Sequence, residues 1–251
     1  MAKQKGFLKI TGTLGDTTFA QTKDGYQARE KTRLSATQIK NSPAFARTRE
    51  NNTEFGRAGQ AGKLLRNSVS TLLGNATDPN TISRLVKKMM DVVRQDLTST
   101  RGNRNVIDGP ITKVKGFEFN GNAILENVMQ AELTSTINRV AGTLTINIPS
   151  FVPGLSIAAP AGATHFKFVS AGTELDFEQK TFKREIKESA DIAWNKTPTA
   201  AMSIVHTVTP NSTLPLFLVF GVQFFQQVGG AMSQMLKGKV NVLTVIDVNK
   251  A

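Results

Sequence analysis

Leu214-Pro215-Leu216-Phe217-Leu218-Val219-Phe220-Gly221-Val222 is the longest apolar run in the chain. How it is read decides the fold. A membrane-spanning helix needs about 20 consecutive apolar residues, and this run stops far short. Its Pro, Gly, Val and Phe content suits a buried strand.

The surroundings agree, because from Lys113 onward the period is two. Phe117 and Phe119 alternate with polar residues, as do Leu144, Ile146 and Ile148, Phe166 and Phe168, Leu175 and Phe177, and Val240 and Val242. Ile204 and Val208 share a strand face with His206 between them. Turn signals punctuate the pattern at Asn120-Gly121, Pro153-Gly154, Ala161-Gly162, Pro210-Asn211, Gly229-Gly230 and Lys237-Gly238. Short strands spaced in this way predict an antiparallel β-sandwich over 113–251, immunoglobulin-like or jelly-roll-like. Of the 15 phenylalanines only Phe7, Phe19, Phe45 and Phe55 lie outside it, so a two-sheet core can be filled.

Upstream the period changes. Ser42-Pro43 places an N-cap residue before a proline at the first helical position. Phe45, Asn52, Phe55, Gly59, Gly62, Leu65, Val69 and Leu72 then recur at helical intervals, predicting a helix of about 30 residues that ends near Gly74-Asn75. Asp78-Pro79 repeats the start signal, and Ile82, Leu85, Val86, Met89, Val93 and Leu97 form a second stripe. A loop of about four residues between them favours a helical hairpin over 35–100. Residues 98–112 have no period and many turn formers, so 101–112 reads as a linker. Residues 1–34 read as a small antiparallel meander with strands near 7–13, 17–22 and 25–31, the last two joined through Asp24-Gly25. The meander has too few apolar residues for a core of its own. The fold class is therefore α+β: a small sheet, a helical hairpin, then a sandwich.

Charge divides the chain differently. Residues 1–115 carry 21 Lys/Arg against 9 Asp/Glu, and residues 116–251 carry 10 of each. The whole excess of +12 sits in the first part, and a basic region attracts acidic partners, whether phosphate polymers or acidic faces of like subunits. Absence of cysteine excludes disulfides, thiol nucleophiles and cysteine metal sites. No apolar stretch follows Met1-Ala2-Lys3-Gln4-Lys5-Gly6 beyond Phe7-Leu8, so no secretory signal and no membrane span are read. This leaves a cytoplasmic chain or one exported without a classical signal.

Three constellations invite a functional reading. Gly56, Gly59 and Gly62 look like a phosphate loop but fall inside a helical pattern with no Gly-Lys-Ser/Thr ending. Glycine in a helix costs about 0.5–1 kcal/mol relative to Ala, and close approach of another backbone would compensate. Phe45, Phe55, Gly56, Gly59, Gly62 and Leu65 are thus assigned to helix packing or self-assembly. Arg29, Lys31, Arg33, Arg47, Arg49, Arg57, Lys63 and Arg66 carry most of the positive charge and are assigned to polyanions or acidic partners. Glu174, Asp176 and Glu178 alternate on a strand, so they share one face and read as a solvated or docking edge. His165 and His206 lack a second ligand at metal spacing, and no Gly-x-Ser-x-Gly elbow is present. No catalytic residue, metal or cofactor is assigned, and no small-molecule substrate is expected. Too little Trp and Tyr is present for the aromatic platforms of a sugar site.

The opening resembles an uncharacterised family from Bacteroidota. The likeness is carried by Met1-Ala2-Lys3-Gln4-Lys5-Gly6, Asp24-Gly25-Tyr26, Ala28-Arg29-Glu30-Lys31, Phe45-Ala46-Arg47-Thr48-Arg49-Glu50-Asn51 and Gly62-Lys63-Leu64-Leu65-Arg66. It is strong over about the first 110 residues and weaker beyond, and it implies shared architecture without an activity. The expected function is a non-enzymatic structural protein that assembles with copies of itself into a filament, tube or shell. The alternative is nucleic-acid association through the basic N-terminal half.

Overall fold

The computed structural model describes residues 2–31, 34–74, 76–235 and 240–250. The chain divides into two compact units, Met1–Arg49 and Glu50–Ala251. The fold is α+β, with a small antiparallel sheet, a helical region and an antiparallel sandwich.

In the first unit, β1 (Ala2–Lys3), β2 (Gly12–Leu14), β3 (Thr17–Thr22) and β4 (Gly25–Glu30) form a four-stranded sheet in the order β1-β4-β3-β2. Gly15 and Gly25 sit at φ +56° and +100° in its two turns, where residues with a Cβ are strained. The strand expected near 7–13 is reduced to Gly12–Leu14. Residues Gln4–Ile10 instead form a loop, because local side-chain bonds compete with the ladder. The Ile10 amide donates to Gln4 Oε1 (2.9 Å), and Lys9 Nζ donates to the Gln4 and Gly6 carbonyls (2.7 and 2.6 Å). Next comes α1 (Ala36–Asn41), a helix the periodicity did not reveal, whose N-cap Ser35 accepts from the Gln38 amide (3.0 Å).

The long helix expected from Ser42 is broken into pieces. Ser42 is extended, as a residue before proline prefers. A 3-10 turn at Pro43–Phe45 follows, and then α2 (Ala46–Ser68) and α3 (Ser70–Leu73), separated at Val69. The end expected at Gly74-Asn75 falls partly on Asn75, outside the described residues, as does the Lys237-Gly238 turn. The second helix, α4 (Thr81–Arg94), buries Leu85, Met89 and Val93 of its expected stripe, while Ile82 is exposed and Leu97 lies exposed beyond the helix end.

The sandwich follows α5 (Leu125–Val128). A three-stranded sheet holds β5 (Thr134–Asn138) and β6 (Thr143–Ile148); α6 (Pro153–Ser156) comes next in the chain. The larger sheet contains β7 (His165–Asp176), β8 (Thr181–Glu188) and β9 (Ile192–Ala193). Then β10 (Met202–Thr207) completes the smaller sheet in the order β10-β6-β5. The larger sheet is finished by β11 (Leu216–Val228), β12 (Ala231–Gln234) and β13 (Val242–Asn249). Its order is β12-β11-β7-β8, with β13 on β11 and β9 on β7. Gly229 and Gly230, at φ +58° and +84°, make the β11–β12 turn, the geometry two-residue hairpins prefer.

The apolar run is the centre of this unit. Along β11, Leu216, Leu218, Phe220, Val222 and Phe224 point into a core shared with Leu144, Ile146 and Ile148 of β6. Phe217 and Val219 point the other way, into a core shared with Leu65 of α2 and with Leu85 and Met89 of α4. A strand covered on both faces reads as a continuous apolar run rather than an alternation. Opposite β11, the pairing with β13 shifts at Leu218/Val219. The bulge lets both Val245 and Val248 reach the helix-side core. The unit is thus three layers: helices, the six-stranded sheet and the three-stranded sheet.

The segment expected as a linker, 101–112, is packed into the second unit. Val106 and Ile111 are buried in the helix-side core. Glu54 accepts from the Gly102 amide (2.7 Å) and pairs with Arg104 (3.1 Å). The division of the chain falls instead between Arg49 and Glu50.

Candidate functional site

The residues assigned to helix packing separate on the structure. The buried face of α2 is Glu54, Ala58, Ala61, Gly62, Leu64, Leu65 and Ser68. Gly62 faces Leu85 and Met89 of α4, with room for an ordinary methyl contact at 3.4 Å. Phe55 is 60 % exposed, and Gly56 and Gly59 have open space where a Cβ would stand. Phe45 is half-buried. The predicted face holds at its far end, where Gly62, Leu65, Val69 and Leu72 are buried, and is rotated toward Glu54 and Ala58 at its start. Glu54, held by Gly102 and Arg104, turns inward and forces the neighbouring Phe55 out.

The basic residues also divide. Arg29, Lys31, Arg47 and Lys63 are exposed, and Arg66 is half-buried. Arg33 lies outside the described residues. Arg49 and Arg57 are structural. Arg49 Nη1 donates to the Ile39 and Ser42 carbonyls (2.9 and 2.8 Å), clamping the end of α1. Arg57 Nη1 donates to the Gly102 and Arg104 carbonyls (2.8 and 3.1 Å).

The acidic trio does not form an exposed edge. Glu174 is 5 % exposed. It accepts from the Ser212 hydroxyl (2.6 Å) and the Thr209 amide (3.2 Å). Burial works to raise its pKa, but the Ser212 and Thr209 hydrogen bonds and the charge of Lys183 outweigh that and lower it. Asp176 ends β7 and accepts from the Glu178 and Gln179 amides (2.9 and 2.8 Å), closing the β7–β8 turn. Glu178 lies in that turn. The parity was right for Glu174 and Asp176, but the face that Glu174 occupies is covered by the second sheet.

One pairing was not foreseen. Arg57 and Glu178, from the basic and acidic sets, line the same cavity of about 520 Å³. Ala61, Leu64, Val106 and Phe177 give it an apolar lining, and Lys180 and Asp108 line it too. A second cavity, of about 590 Å³, lies between β5 and β13. Ile124, Leu125, Met129, Leu133 and Ile246 give it an apolar lining, with Glu118, Glu126 and Lys115 among them. Burial raises the Glu118 pKa, although Thr244 and the Leu125 amide hydrogen-bond its carboxyl.

His206 sits on the inward strand face that its alternation with Ile204 indicated, but its partners were not foreseen. It is fully buried. Its Nε2 meets Ser170 Oγ at 2.9 Å, and Nδ1 has no hydrogen-bond partner. Burial holds its pKa down to about 4, with Glu185 pulling weakly upward. A Cβ on Gly172 would stand 2.5 Å from His206 Cβ, so glycine there makes room for the ring. The signal was the Ile204-Val205-His206 alternation, but Ser170 and Gly172 lie on a strand more than thirty residues away.

The chain matches no known family model and no curated protein. Among the described residues no group of three or more His, Asp or Glu side chains could hold a metal ion. No helix among them is long and apolar enough to cross a membrane.

Proposed function

We propose that the chain is a structural subunit that assembles with copies of itself, residues 1–49 supplying contact surface. One observation carries this reading: none of the described side chains of the first unit is buried. Phe7, Leu8 and Leu14 are 99, 68 and 74 % exposed. A small sheet is stable in water only when an apolar face is covered. A second copy provides a cover at fixed stoichiometry, and contacts between unlike surfaces generate rings or open polymers. Sedimentation velocity and electron microscopy of purified protein, at low and high salt, test this. Assemblies that shrink with salt are expected; monomers at every concentration and salt would remove the reading.

A second reading is favoured by charge. Residues 1–49 hold 10 Lys/Arg against 3 Asp/Glu, an excess that attracts phosphate polymers. The test substitutes exposed cations only, Arg29, Lys31 and Lys63 to Ala, because Arg49 and Arg57 are clamped to main-chain carbonyls. A duplex mobility shift unchanged by that variant would reject it.

A further inference from the structure

The two edges of the three-stranded sheet are treated differently. The β10 edge is closed by side chains of β8. Glu185 accepts from the Thr207 amide (2.6 Å) and hydroxyl (3.1 Å), and Lys187 Nζ donates to the Val205 carbonyl. Proteins guard such edges against pairing with other chains. Among the described residues no side chain bonds to the main chain of the β5 edge in this way, although Ser135 Oγ donates to Asp247 of β13 (3.2 Å). Among the described residues, the main-chain groups of Thr134–Asn138 pair only with β6. Beside this edge opens the cavity between β5 and β13, with Leu133 and Ser135 on one wall and Val245 and Ile246 on the other.

The chemistry of that groove is specific. Its lining is largely apolar, with two carboxyl groups, Glu118 and Glu126, and one cation, Lys115. Lys115 already pairs with Asp247 at 3.0 Å. An occupant should therefore present apolar side chains flanked by positive charge. The Gln4–Ile10 loop of this chain has that composition. Its tip is Phe7-Leu8, flanked by Lys5 and Lys9. Phe7 is 99 % exposed, more than any other large apolar residue described.

We propose that the groove between β5 and β13 is the acceptor for the Phe7-Leu8 loop of a second copy of the chain. Phe7 and Leu8 enter between Leu125, Leu133 and Ile246, and Lys5 faces the exposed Glu126, while Lys9 stays bonded to the Gln4 and Gly6 carbonyls of its own loop. The proposal rests on the self-assembly reading and adds its two contact surfaces. Fully desolvated apolar anchors ringed by polar contacts are what concentrate binding energy at interfaces, and the charges add salt dependence.

A fluorescent peptide of residues 3–12, titrated against the full chain and followed by anisotropy, tests it. Saturable binding is expected, weakened at least tenfold by Leu133→Glu and by raised salt. Glu126→Lys, at an exposed rim position, should weaken binding without altering thermal stability, which guards against misfolding of the Leu133 variant. No binding, or binding unchanged in both variants, overturns the proposal. If the parent still assembles in that case, copies associate through another surface and the broader reading stands. If the parent is also monomeric at every concentration, the broader reading falls with it.

Discussion

Met1–Arg49 and Glu50–Ala251 are both built on antiparallel sheets, and they are held in different ways. The first unit pairs its strands through a regular ladder, with β3 and β4 matched from Thr17↔Glu30 to Thr22↔Gly25. Yet it buries none of its described side chains. The second unit buries the same kind of ladder between two apolar layers, with six phenylalanines among its largest fully buried side chains. Hydrogen bonds exchanged with water contribute only about 0.5–1.5 kcal/mol net each. Burying a large apolar side chain contributes about 1.5–3 kcal/mol. The same backbone geometry is thus backed by two apolar layers in one unit and, among the described residues, by no buried side chain in the other.

The largest expected effect breaks the second unit where it is strongest. Phe220 is fully buried, its ring centroid 5.2 Å from that of Phe168. Phe220→Ala should cost about 3–5 kcal/mol in urea unfolding followed by the fluorescence of Trp194. Phe7→Ala, measured on dissociated protein, should change stability by less than about 0.5 kcal/mol. Equal effects of the two substitutions would erase the contrast between the units.

Next in size is a pH effect at His206. The folded state holds this histidine neutral, with its pKa lowered to about 4, against about 6.5 when unfolded. The unfolded chain therefore takes up the proton first. The stability is fully present above about pH 6.5 and is lost progressively down to about pH 4, a change on the order of 3 kcal/mol. Glu174 and Glu185, whose pKa values are lowered, add their own loss toward the acid end of that range. His206→Gln should flatten the curve just below pH 6.5, since Glu174 and Glu185 contribute further toward acid and Glu118, whose pKa burial raises, has the opposite slope and is common to both proteins; an unaltered slope would show that His206 is not its source. Smaller again is Gly172→Ala. Its new methyl meets His206 Cβ at 2.5 Å, and overpacking of this kind costs about 1–3 kcal/mol. The same substitution at Gly56, where space is open, should be neutral or slightly stabilising in a helix.

How far the sequence could be read follows from the same contrast. The strand β11 was legible because burial on both faces leaves only apolar residues. So was α4, whose Leu85, Met89 and Val93 repeat at helical spacing. The phase of α2 was legible at Gly62 and Leu65 but not in its first half. Phe55 looked like an anchor, and the outcome turned on Glu54, whose partners Gly102 and Arg104 lie about fifty residues away. The strand β8, Thr181–Glu188, was hidden by its charges, because it lies at a sheet edge and is only half covered. Glu174 was read as exposed because alternation reveals a shared face without revealing which layer covers it. The two cavities were beyond periodicity altogether. Each is lined by segments distant in sequence, and no local pattern reports their meeting.

The smallest effect sharpens the account of the first unit. With none of the unit's described side chains buried, its helix α1 rests on local bonds, and the Arg49 guanidinium supplies two of them, to the carbonyls of Ile39 and Ser42. They are only partly buried, so Arg49→Ala should cost about 1 kcal/mol. That loss should stay local, since openings without a shared core do not propagate. Amide exchange separates this from a global change. Protection within Ala36–Asn41 should fall several-fold, while protection along Leu216–Val222 stays as it was. Arg29→Ala, at an exposed position on β4, should alter neither region. If Arg49→Ala instead lowered protection throughout β11, the two units would share one cooperative transition, and the first would be drawing stability from the core of the second.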